Sequence, residues 1–107
     1  MKDTIDVRGA SGAVYRFMRV RADQTLSRMG GNFIYAKTSE ETLEIVFVGE
    51  APNLMADAHR LWSQAVQDYG AEELFTRLNV TERIRRLEQS DILGAVKPPM
   101  NAETSTN

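Results

Sequence analysis

The chain contains no cysteine, one histidine, one tryptophan and three prolines among its 107 residues. Without cysteine there is no disulfide framework, no thiolate zinc site and no thiol nucleophile. That composition suits a reducing compartment, and the expected location is cytoplasmic. With His59 alone there is no histidine pair for zinc or for a proton relay. No long apolar run occurs, and the opening "MKDTIDVRGA" reads as neither a signal peptide nor a membrane span, so no membrane partner is expected. Thirteen Lys and Arg against fifteen Asp and Glu leave a formal net charge of −2. That balance gives no global attraction to nucleic acid, and such binding would need a local basic patch. "GASGA" lacks the Lys-Ser/Thr of a phosphate loop and is not a nucleophile elbow in its context.

What is present reads as one α+β domain with a hydrophobic fraction of 42%, enough for a core at this length. "TIDVRG" and "AVYRFMRVR" are strand-like and separated by "ASG". Residues 23–29, closed by Gly30-Gly31, read as a turn or two of helix. "GNFIYAKT" and "TLEIVFVGE" form a second hairpin around "SEE"; their continuous apolar centres belong to strands covered on both sides. A hairpin symmetric about Glu40 opposes Phe33 to Phe47 and Tyr35 to Ile45. Asn53 caps a helix running to Tyr69 and ended by Gly70, with Leu54, Ala58, Leu61, Ala65 and Tyr69 as its apolar face. "ELFTRL" is another strand, and "ERIRRLEQSDILGAV" a last helix stopped before Lys97-Pro98-Pro99. The polar end, residues 102–107, reads as a disordered tail.

The ordered pieces "GGNFIY", "FVGE", "NL", "SDIL" and "PPMN" resemble the GIY-YIG nuclease domain over residues 30–101. Residues 1–29 would then be an extension carrying the first hairpin and the short helix. The resemblance implies a small, mostly antiparallel, three-stranded central sheet flanked by helices. Gly31, Gly49, Asn53, Leu54 and Asn101 keep the shape of the motifs. Members of that family cut phosphodiesters with one divalent metal. The resemblance implies a tyrosine in each signature strand, an arginine on the next helix for the phosphate, and a glutamate on a later helix for the metal. Those positions fall here on Phe33, Phe47, Asp57 and Gln89, and all four depart from the pattern.

Each departure removes a chemical function. Phenylalanine has no hydroxyl to move a proton or bond a phosphate. Asp57 puts an acceptor-only anion where phosphate oxygens need donors, and Gln89 offers a neutral amide to a hard cation that prefers carboxylates. One such loss costs on the order of 10²–10³ in rate. The expected function is therefore a catalytically inactive domain that binds a protein or nucleic-acid partner, with no cofactor. Two other readings stand beside it: a weak or altered nuclease using Mg²⁺ with Tyr35, Glu50 or Glu88, and a self-associating scaffold. Arg77, Arg83, Arg85 and Arg86 form the candidate nucleic-acid patch, with Arg16, Arg19 and Arg21 as a lesser one. A solvated face balanced by Glu82 and Glu88 is the simpler account of the first patch. Asp91 lies near the apolar line of its helix and reads as a structural hydrogen-bond partner rather than a metal ligand.

Overall fold

A computed structural model describes residues 3–104 of the chain. Five strands run in the order β1 (Thr4–Arg8), β2 (Val14–Arg19), β3 (Gly31–Ser39), β4 (Thr42–Ala51) and β5 (Glu73–Leu78). Among the described residues there are also four helices: α1 (Leu54–Asp57), α2 (Trp62–Tyr69), α3 (Glu82–Ala95) and α4 (Pro99–Thr104). The strands form one antiparallel sheet in the order β1-β2-β5-β3-β4. The sheet thus has five strands where three were expected. The first hairpin joins it, because Met18 and Arg19 pair with Thr76 and Phe75 of β5.

Each face of the sheet buries a separate core. Phe33, Tyr35, Val46, Phe47 and Leu74 lie with Leu54, Ala58 and Ala65 of the α1–α2 region and with Met100 of α4. Phe17, Ile34, Val48 and Phe75 lie on the other face with Ile92 of α3. The continuous apolar runs of β3 and β4 thus do feed two cores.

The β3–β4 register differs from the symmetric hairpin. Phe33 stands opposite Gly49 and Tyr35 opposite Phe47, with a bulge that leaves Val46 without a partner. The connection is a two-residue turn in which Glu40 (φ 49°) and Glu41 (φ 71°) are both left-handed. Such a turn matches the twist of the flanking strands, and the bulge then lets Val46 and Phe47 face the same core.

The helix expected from Asn53 to Tyr69 is broken. Asn53 does cap it, its Oδ1 accepting from the Ala56 N–H at 3.1 Å, but α1 stops at Asp57 and α2 begins at Trp62. Between them the Tyr35 hydroxyl donates to the Ala58 carbonyl at 2.7 Å and accepts from the Leu61 N–H at 3.3 Å. A side chain inserted into the i→i−4 ladder breaks it, and Trp62 N–H bonds His59 instead. Residues 23–29 form no helix either. The Met29 and Ser27 carbonyls accept from Leu54 and Met55, so that stretch is drawn alongside the start of α1. Part of the expected disordered tail is ordered: residues 102–104 belong to α4, which starts with Pro99 at a first-turn position that needs no N–H. Residues 105–107 of that tail lie outside the described residues.

Candidate functional site

Phe33, Tyr35 and Phe47 form an aromatic triangle with ring centroids 5.4–5.9 Å apart, and Trp62 meets Tyr35 edge-on at 5.2 Å. All three rings of the triangle are buried. Phe33 packs over Gly49, where an added Cβ would stand 2.3 Å from the ring tip. Gly31 is as confined, since a Cβ there would meet the Arg77 carbonyl oxygen at 2.4 Å and Leu54 at 2.6 Å. These glycines are required by close approach, not by an unusual φ. Burial pushes the Tyr35 phenol up to about 12. Its hydroxyl is held by Ala58 and Leu61, so it stays a structural donor at neutral pH.

Phe33 and Phe47 are therefore brought together, and Asp57 rides above the same face on α1, half-buried and with no ion pair among the described residues. Gln89 comes from α3, on the opposite face. It is half-buried, and its side-chain amide donates to the Val48 carbonyl at 3.1 Å. Asn101 takes the same backbone, accepting from Val48 N–H at 2.8 Å and donating to its carbonyl at 2.9 Å. β4 is an edge strand, and these two amides occupy the main-chain groups that such an edge exposes.

A polar network lies beneath α3. Arg85 is buried and donates through Nε to Glu50 Oε1 at 2.9 Å, and through Nη1 to the carbonyls of Val80 at 2.7 Å and Asn79 at 3.4 Å. Arg77 Nε bonds Glu88 Oε1 at 2.9 Å, and its guanidinium lies 5.4 Å from the Tyr15 ring centroid. Asn79 bridges Glu88 and the buried Asn32, which also donates to the Arg85 carbonyl. The network satisfies buried polar groups that would otherwise be costly.

The candidate basic patch is consequently divided. Arg85 is buried, Arg77 is half-buried and held by Glu88, and Arg86 bonds Glu82 at 2.7 Å. Arg83 alone of the four is exposed without an ion pair among the described residues. Arg16, Arg19 and Arg21 of the lesser patch each pair with an acid. Glu50 and Glu88, the alternative metal ligands, are each held by an arginine, and no group of three metal-ligating side chains comes together among the described residues.

Asp91 is the residue whose partners the sequence left open. Its carboxylate accepts from the Tyr15 hydroxyl at 2.7 Å, the Ser11 hydroxyl at 2.7 Å and the Ser11 N–H at 2.8 Å. It thereby latches the β1–β2 turn to α3. The Tyr15 bond first, then those of Ser11, hold its pKa below the ordinary carboxylate value. A carboxylate depressed in the folded state contributes stability that is present above its unfolded pKa and is lost as pH falls through the folded one. We expect urea midpoints to drop as pH is lowered below about 4. Asp91→Asn should lower the neutral-pH midpoint and flatten that acid limb, whereas an unchanged limb would assign the acid sensitivity elsewhere.

Among the described residues no helix is long and apolar enough to cross a membrane. Comparison of the chain with protein-family models, with curated proteins and with solved structures finds no match.

Proposed function

We propose that this chain is a catalytically silent GIY-YIG-like domain whose role is to bind a protein partner. The observation that carries this reading is the pairing of Arg77 with Glu88 and of the buried Arg85 with Glu50. A nuclease needs free cationic donors for phosphate and free carboxylates for the metal, and here each group neutralises the other. The element order supports the likeness: a hairpin, a Gly49-to-Asn53-Leu54 turn into α1, then β5 and α3; the four motif positions do not share one face, since Gln89 on α3 lies across the sheet from Phe33, Phe47 and Asp57. The aromatic triangle supports loss of chemistry, since Phe33 and Phe47 pack as core and Tyr35 has its hydroxyl committed to backbone. A protein partner is favoured over nucleic acid because the arginines are mostly neutralised by neighbouring acids, leaving few charges to displace counterions from phosphate.

The test is cleavage and binding of single- and double-stranded DNA and RNA in Mg²⁺ or Mn²⁺. We expect no cleavage above the protein-free control, and nucleic-acid binding too weak to be altered by Arg83→Ala. Metal-dependent cleavage abolished by Glu88→Gln would overturn the reading in favour of an altered nuclease. Tight, steeply salt-dependent binding lost in Arg83→Ala would replace the protein partner with a nucleic acid.

A further inference from the structure

The edge of β4 is treated in two ways along its length. At Val48, Gln89 and Asn101 occupy its outward carbonyl, and Asn101 also its N–H. Nearer the turn the pattern changes. Ser39 opposes Thr42 across a two-residue turn, a pair that exchanges both main-chain bonds, so strand alternation turns the N–H and C=O of Leu43 and Ile45 away from β3. Among the described residues no other element bonds the backbone of either one.

That open half-edge borders a groove of about 680 Å³ whose opposite wall is β1, the other edge strand of the curled sheet. Its apolar lining is Ile5, Val7, Leu43, Ile45 and Val96, with polar and charged side chains of β1 and β2, Asp6, Arg8 and Arg16 among them, between these. The apolar side chains belong to the core on the α3 face of the sheet, and all but Val7 are only partly buried. The core therefore reaches the surface between two sheet edges. An extended backbone matches both features at once, since its main chain can pair with Leu43 and Ile45 while alternate side chains enter the apolar lining. A globular surface or a helix offers no such row of main-chain donors and acceptors.

We propose that this groove takes an extended segment of a partner protein, added as a strand along β4 at residues 42–45 with alternate apolar side chains facing Val96 and Ile5. At ~3.3 Å per residue the contact spans about 13 Å, or roughly four residues of the partner. The inference rests on the protein-binding reading and names its surface.

The test uses a displayed library of random nine-residue peptides selected on the full chain. Enriched peptides should alternate apolar and polar residues. Methylating alternate backbone nitrogens of such a peptide should weaken binding about tenfold or more, because several main-chain bonds are lost while every side chain is kept. Leu43→Pro should weaken it similarly. Proline there removes an outward N–H and leaves the bonds to β3 in place. Its thermal midpoint reports whether the fold is kept, and the methylated peptide tests wild-type protein in any case. No enrichment, or binding indifferent to methylation, overturns the groove. Peptides whose binding survives Leu43→Pro in a folded protein remove the groove but leave protein binding standing. A concentration-dependent dimer abolished by Leu43→Pro would assign the edge to a second copy instead.

Discussion

Glu50→Ala should destabilise the fold by about 3 kcal/mol or more, the largest effect expected of any single substitution at the candidate positions. Arg85 has only 5% of its side chain exposed, and among the described residues Glu50 Oε1 is its one carboxylate partner, at 2.9 Å. Removing that carboxylate leaves a guanidinium in a desolvated site with two backbone carbonyls as its remaining acceptors. Those carbonyls satisfy its donors but not its charge, and the cost of an unpaired buried charge dominates. Arg86 approaches the other Glu50 oxygen at 3.9 Å but is largely exposed, so its share is small. Replacing both partners, Arg85→Met with Glu50→Leu, should recover most of the loss, because an apolar pair carries no desolvation penalty. Urea unfolding measures both variants. A single-variant loss below about 1 kcal/mol, the range of exposed pairs, would mean that water reaches the pair and that Arg85 is open to an external anion.

The second large effect is at Gly49. An alanine Cβ there would lie 2.3 Å from Phe33 Cζ and 2.7 Å from both Cε atoms. Phe33 cannot retreat freely, since Tyr35 and Phe47 stand 5.5 and 5.9 Å from it, centroid to centroid. Overpacking of this kind costs about 1–3 kcal/mol. The upper half of that range is expected here, because a rigid ring rather than a flexible chain end must move. Combining Gly49→Ala with Phe33→Leu should cost less than the two single losses together, with a coupling on the order of 1 kcal/mol between these touching residues. Strict additivity would mean that the ring does not sit over the glycine. The result separates a glycine kept for packing from one kept for a ligand: a folded Gly49→Ala protein of wild-type stability would point to the latter.

Much of this architecture was legible in short stretches of sequence. Alternating and continuous apolar runs marked all five strands, Asn53 marked a helix start, and Gly70 closed α2 in the left-handed conformation. The chemistry that the chain lacks was equally legible, because no arrangement in space restores a missing thiol, a second histidine or a hydroxyl on Phe33 and Phe47. The interior polar network was not. On α3 the apolar Ile84 and Leu87 are exposed, while the charged Arg85 is buried along with Ile92. What reverses the face is a carboxylate on β4, 35 residues away, together with carbonyls at the end of β5. The break in the helix after Asn53 was hidden for the same reason: the hydroxyl that causes it belongs to Tyr35, in a strand of another hairpin.

By itself the sequence determined the local elements and the set of reagents, because backbone preference and side-chain chemistry are properties of a residue and its near neighbours. Only the tertiary structure decided how those reagents are used. It joined the first hairpin to the sheet and paired two arginines, one of them buried, with acids. It also capped the β4 edge at Val48 with Gln89 and Asn101 while leaving Leu43 and Ile45 open beside a partly apolar groove. Each of these outcomes depends on a partner distant in the chain, and charge pairing or edge capping acts through distance in space, not along the sequence.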